Sequence, residues 1–286
     1  MSLEIVKNFK NIYNLKYFQF FVFLYAMGST LNFIISYNHN TSIIKALISL
    51  AVIFLTYIPH GYIMNVLNNI IHKKELIDEQ ASFKDIFNKS FLIAAKGFIA
   101  IFLNSLIWGL GLSAVIIGTA FALKIMPAES NMDIVMKNPV MLTEALVIIA
   151  FVILLFTLIP IAFSENFSIK DSFRWINIIK IFFKNWKKTI VVLLLFAFLV
   201  LALFILMSIT MFICNYLVLL IFNELLKKSS IQSGTGFIFY LIEVTVPFLF
   251  SMANFAVTAT ISCVLANIYR EGLTVPQEVR ENISEE

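Results

Sequence analysis

Six long apolar runs punctuate the chain: Tyr17–Tyr37, Ile43–Met64, Gly97–Leu123, Val140–Phe163, Thr189–Ile213 and Gly236–Ala266. Each is continuous rather than alternating, and each holds the roughly 20 residues a helix needs to cross a hydrocarbon core of about 30 Å. A spanning sheet would have to close into a barrel and would show short alternating segments, so the pattern predicts helices. The third and sixth runs exceed the minimum length and must tilt, bend or protrude. The fifth has no clean end. Apolar residues continue to Phe222, and one helix from Thr189 to Phe222 would be roughly 50 Å long. Either that helix projects beyond the bilayer or residues 214–228 turn along the outer surface.

The charged positions between the runs are unevenly shared. The amino-terminal segment, the loops after the second and fourth runs and the tail together hold fifteen Lys and Arg residues. The alternate segments hold Lys45, Lys124, Lys137, Lys227 and Lys228, and Lys96 lies at the inner end of the third run. By the positive-inside rule this separation places both termini in the cytoplasm. A five- or seven-crossing arrangement would spoil it. The expected organisation is a cytoplasmic segment over 1–16, a six-crossing domain over 17–266 and a cytoplasmic tail over 267–286.

Composition closes off the alternatives. A mean hydropathy of +0.91, with 60% apolar and 13% charged residues, leaves too few polar groups to cover a soluble domain. The fold class is all-α, a polytopic membrane helix bundle. The first run is too long for a signal-peptide core and lacks a small-x-small cleavage site, so it is expected to stay as an anchor. Cys214 and Cys263 both lie in or beside apolar runs, where they suit helix- or lipid-facing thiols.

A short pattern recurs. Thr56-Tyr57-Ile58-Pro59 near the end of the second run precedes Ser82-Phe83-Lys84-Asp85-Ile86-Phe87. Thr157-Leu158-Ile159-Pro160 near the end of the fourth precedes Ser168-Ile169-Lys170-Asp171-Ser172-Phe173. Both copies fall at the same membrane face, which suggests a parallel duplication with its axis along the membrane normal. The sixth run carries a reduced echo, Thr245-Val246-Pro247. In S-x-x-D the serine caps a free amide and the aspartate answers the helix dipole, so each copy should start a helix at the cytoplasmic surface. In the second copy Phe173, Ile176, Ile179, Phe183 and Trp186 recur at helical spacing beside Arg174, Lys180, Lys184, Lys187 and Lys188. That is the pattern of an interfacial helix on an anionic leaflet, with Trp175 and Trp186 at headgroup depth.

Candidate chemistry is sparse. An ionisable group inside a span raises a functional hypothesis, and Glu243, four residues before Pro247, is the foremost candidate for a proton, cation or substrate site. Lys96 and Glu144 can snorkel to the two surfaces. Pro59, Pro160 and Pro247 each remove a backbone donor and mark kinks or hinges. Asn32, Asn104, Asn254, Ser105, Thr258 and Thr260 can hydrogen-bond between helices, and Gly109, Gly111 and Gly118 permit close helix approach. His39, His60 and His72 are scattered. No metal-ligand spacing, H-E-x-x-H, G-x-S-x-G or phosphate-binding lysine motif occurs, so no cofactor, metal or catalytic residue is expected.

Pro59-His60-Gly61-Tyr62 closing a span, the segment Asn65-Val66-Leu67-Asn68-Asn69-Ile70-Ile71, then Phe83, Phe87 and Gly97, and the ending Ala266-Asn267-Ile268-Tyr269-Arg270-Glu271-Gly272 together resemble an uncharacterised prokaryotic family. Its members are multi-pass integral membrane proteins built on a domain of unknown function. The resemblance implies a six-helix membrane bundle and carries over no catalytic residue. Two readings follow for a plasma-membrane protein that is not an enzyme. One is permease-like, or the membrane subunit of an export, stress or self-immunity system, alone or with a partner subunit or second copy. The other is a scaffold that holds anionic lipids through its basic cytoplasmic loops; neither involves nucleic acid.

Overall fold

The computed structural model describes residues 10–37, 43–74, 81–122, 157–226 and 233–273, with the isolated positions Lys7 and Thr143, and among these it is all-helical. The helices are α1 (Phe18–Tyr37), α2 (Ile43–Ile71), α3 (Phe83–Ala122), α4 (157–166), α5 (Trp175–Lys184), α6 (Trp186–Leu226) and α7 (Ser233–Leu273). A short 3-10 turn, Asp171–Phe173, precedes α5. Segments of α3, α6 and α7 are each long and apolar enough to cross a membrane. Most of the fourth apolar run, including Glu144, lies outside the described residues.

Helix α2 is the hub, packed against α1, α3 and α7, while α6 leans on α7. The fully buried side chains include Phe18, Phe21, Tyr62, Leu67, Leu158, Ile161, Phe255 and Ile261. They gather where the second halves of α2 and α7 meet the start of α1 and the end of α4. Tyr62 and Phe21 stack with ring centres 4.2 Å apart, and Phe18 and Phe255 stack at 6.4 Å. Away from this end α3 and α6 leave apolar faces uncovered. Leu110 on α3 and Leu194, Phe198 and Phe212 on α6 are all well exposed. A water-soluble protein could not carry so large an apolar surface; acyl chains would cover it.

The basic segments converge on the buried end. The Tyr62 hydroxyl donates to the Lys16 carbonyl at 2.7 Å, and Lys16 Nζ donates to the Ala81 carbonyl at 3.3 Å. Arg270 donates to the Ile70 carbonyl at 3.1 Å, and Lys188 pairs with Glu271 at 2.8 Å. The amino-terminal segment, both basic loops and the end of α7 thus share one end of the bundle.

Several expectations change. Helix α6 runs unbroken from Trp186 to Leu226, roughly 61 Å at 1.5 Å per residue, so residues 214–226 extend the helix instead of turning. Helix α3 begins at Phe83 and passes straight through Gly97. Its start carries the expected cap: the Asp85 amide donates to Ser82 Oγ at 3.2 Å, and Ser82 Oγ donates to the Asp85 carboxylate at 2.6 Å. The second copy does not cap this way. Asp171 instead receives Arg174 Nε at 3.2 Å and Asn166 Nδ2 at 3.2 Å, and the chain makes a 3-10 turn before α5 starts without a side-chain cap. With the aspartate engaged sideways, the serine has no helix to close.

The close-packing glycines are also not the expected ones. A Cβ at Gly109, Gly111 or Gly118 would meet no described atom within 4 Å. At Gly61 it would run into the Ser90 carbonyl oxygen and lie 2.8 Å from Ala94, and at Gly97 it would lie 2.8 Å from Met64 Sδ. Contact between α2 and α3 rests on these two positions. At the prolines the helix continues through Pro59, Pro160 and Pro247, so none interrupts its element.

Candidate functional site

Helix α5 lies across the basic end, and its ten residues present two apolar faces. Ile178 and Phe182 are buried and face α7, where Phe182 meets Tyr269 with ring centres 5.5 Å apart. Ile176 and Phe183 are 70% and 65% exposed. The stripe expected to enter lipid therefore divides. Ile176 and Phe183 stay exposed, Ile179 is half-buried, and the set offset by about one position packs inward. Both sets have helical spacing, and only the position of α7 decides between them. Trp186 belongs to the first turn of α6, half-exposed with Lys187 Nζ 5.8 Å from its ring centre.

Trp175 turns inward. Its indole N–H donates to Asn104 Oδ1 at 2.6 Å, and Asn104 Nδ2 donates to Ser172 Oγ at 3.0 Å and to the Ala100 carbonyl at 2.7 Å. Asn104 is wholly buried, so this chain of bonds ties the 3-10 turn and α5 to α3, as expected of an asparagine between helices. Ser105, Thr258 and Thr260 behave otherwise, each donating to the carbonyl four residues earlier on its own helix. A hydroxyl so placed satisfies itself without a partner helix.

Two more cations of the predicted set are engaged. Lys184 Nζ donates to the Gly272 carbonyl at 3.0 Å, and Lys188 pairs with Glu271. Lys180 and Lys187 are exposed. Beneath α5 lies a cleft of about 350 Å³ whose lining includes Glu165, Asp171, Arg174, Lys180, Lys184 and Tyr269. The Tyr269 hydroxyl donates to Glu165 Oε2 at 2.8 Å, and the main chain of Glu165 is held by Asn68 Nδ2 at 2.8 Å and a His72 ring nitrogen at 2.7 Å. The acidic wall went unread in the sequence, because Glu165 and Tyr269 are about a hundred residues apart.

A second cavity, of about 280 Å³, lies deeper. Tyr57, His60, Thr157, Pro160, Thr258 and Ser262 supply its polar and proline lining. His60 sits edge-on to Tyr25 at 5.5 Å and Phe255 at 5.6 Å. Its place among scattered histidines concealed this. Pro247 lines a third cavity of about 300 Å³ with Ser29, Ser251 and Asn254, where Ser251 donates to Ser29 at 3.0 Å. Pro59 is buried beside the second cavity. Glu243 is exposed and lines none of these three spaces.

The profile of a family described as "Protein of unknown function (DUF4013)" matches residues 44–216, from the start of α2 into the second half of α6. The matched stretch includes both copies of the T-x-I-P and S-x-K-D patterns, Asn104 and all of α5; it excludes Glu243 and Pro247. No curated protein and no solved structure matches the chain. The resemblance seen in the sequence is to an uncharacterised family of this kind, and with more than half its residues matched, the chain belongs to the DUF4013 family.

Proposed function

We propose that this protein is a six-crossing plasma-membrane protein with both termini cytoplasmic, and that it works without catalysis as a lipid-holding scaffold at the inner leaflet. One observation carries the reading: α5 exposes Ile176 and Phe183 on the same short helix as Lys180 and Lys184, with Trp186 and Lys187 just beyond it. An apolar surface flanked by cations is the composition that settles into an anionic interface. The gathering of the basic segments at one end supports a shared cytoplasmic side. Equivalent burial of Ile58 and Ile159, and of Tyr62 and Phe163 three residues after each proline, supports the duplication.

The test uses quenching of tryptophan fluorescence by brominated lipids in proteoliposomes. Brominated phosphatidylglycerol should quench Trp186 more than brominated phosphatidylcholine at equal bulk content, and replacing Lys180, Lys184, Lys187 and Lys188 with Gln should abolish the difference. Equal quenching by the two lipids in the unaltered protein would remove the scaffold reading.

The deeper cavity favours a second, permease-like reading. It lies between two proline-bearing helices and offers hydroxyls and an imidazole within an apolar bundle, a setting in which polar groups commonly mark a solute path. On that reading His60→Ala changes solute flux in proteoliposomes, as does Glu243→Gln if Glu243 serves the same path.

A further inference from the structure

The cleft beneath α5 holds opposite charges that do not neutralise one another. Glu165 and Tyr269 form one wall, with the carboxylate fixed by the Tyr269 hydroxyl and the Glu165 backbone fixed by Asn68 and His72. Lys180 and Lys184 bring cations from α5 to the same cleft, and Lys184 is held by the neutral Gly272 carbonyl. Asp171, the other acid, is already taken by Arg174 and Asn166. Among the described residues no ion pair joins Glu165 to either lysine. Glu165 and Lys184 are instead tethered to uncharged partners and Lys180 is exposed, which leaves the cleft lined by charges of both signs.

Such a space suits a ligand that carries both signs. A lone anion would satisfy the lysines and face the Glu165 carboxylate, a like charge in a partly desolvated site. A lone cation would meet the reverse. We propose that the cleft binds phosphoethanolamine, its phosphate on Lys180 and Lys184 and its primary ammonium on Glu165. Charge-assisted hydrogen bonds form at both ends, and the ammonium keeps the N–H groups that a trimethylated headgroup lacks. The chemistry is shared by a phosphatidylethanolamine headgroup in the leaflet and by the free phosphoethanolamine monoester. The proposal rests on α5 lying at the inner membrane surface.

Native mass spectrometry of the detergent-solubilised full chain provides the test. Short-chain phosphatidylethanolamine, phosphatidylcholine and phosphatidylglycerol are titrated in turn. The unaltered protein should retain phosphatidylethanolamine roughly tenfold over phosphatidylcholine, the order of one charge-assisted hydrogen bond. Glu165→Gln, which can still accept from Tyr269, should erase the preference over phosphatidylcholine. Lys180→Gln with Lys184→Gln should weaken all three lipids. Comparing the methylated and unmethylated headgroups on the unaltered protein needs no variant to fold. Equal retention of the two overturns the proposal, as does a preference that survives Glu165→Gln. Adding free phosphoethanolamine separates the sources: displacement of the lipid identifies the soluble ester as sufficient, and persistence of the lipid assigns the site to the membrane-borne headgroup. Loss of headgroup selectivity with anionic quenching at Trp186 intact sinks this site alone. Selectivity that persists without anionic quenching sinks the scaffold and leaves the cleft.

Discussion

Replacing Gly61 with Ala should separate α2 from α3, while the same change at Gly109 should be harmless. The difference follows from geometry. At Gly61 the new methyl would run into the Ser90 carbonyl oxygen and stand 2.8 Å from both the Ala94 amide nitrogen and Cβ. Favourable contacts between heavy atoms begin at about 3.5 Å, so the backbones must part by roughly 1 Å or more. Two of the obstructing atoms are main chain, and no side-chain rotation relieves them. Overpacking of this kind typically costs about 1–3 kcal/mol. The case belongs at the upper end, because separating the helices also loosens Gly97 from Met64. Better helix propensity returns at most about 1 kcal/mol. Gly109 gains that propensity with no described atom within 4 Å, so the two variants should differ by about 2–3 kcal/mol. For a chain of this size that corresponds to roughly 3–5 °C in apparent melting temperature. Thermal unfolding in mild detergent, followed by loss of the monodisperse peak on size exclusion, measures it. A Gly61→Ala protein as stable as the original would show that α2 and α3 do not meet as described.

Three further outcomes are expected. Asn104→Leu removes three hydrogen bonds and strands the Trp175 indole, while Ser172 Oγ keeps its bond to the Ile169 carbonyl; the cost is about 2–4 kcal/mol, and hydrogen exchange should rise first at residues 168–176. Tyr62→Phe keeps the stack on Phe21 and loses only the bond to the Lys16 carbonyl, so stability falls by about 1 kcal/mol and proteolysis near Lys16 should speed up. Among the basic residues, Lys188→Gln should alter anionic-lipid quenching little, since Glu271 already balances it. Lys180→Gln with Lys187→Gln should remove most of the preference, up to about 2 kcal/mol or roughly thirtyfold at about 1 kcal/mol per cation.

What could be read along the chain was whatever depends on near neighbours. Apolar runs marked where long helices lie, and Ser82 with Asp85 announced a capped start because the cap is closed within four residues. Helix α5 was visible as amphipathic, yet its sequence offered two stripes, and nothing local says that α7 takes the one through Ile178 and Phe182. The same limit explains the glycines. Gly109 and Gly61 look alike in sequence, and only the partner at Ser90 distinguishes a packing glycine from one facing open space. The cleft was half legible: its lysines stood out as a run of cations, whereas Glu165 owes its role to Tyr269, which the fold brings across from a distant helix.

The placement of α7 bears on how the chain is made. Phe18 awaits Phe255, Ser29 awaits Ser251, and the Ile70 carbonyl awaits Arg270, each from a residue at least 200 positions later. Until that helix is synthesised, the earlier helices can enter the bilayer but cannot complete the buried end. Tyr62 already has the Lys16 carbonyl and the Phe21 ring, but Phe18 and Ser29 wait for the partners that α7 brings. Assembly is thus held open until a late event, and a chain halted before Ser233 would display unfinished polar surface at the membrane, where quality-control proteases could find it.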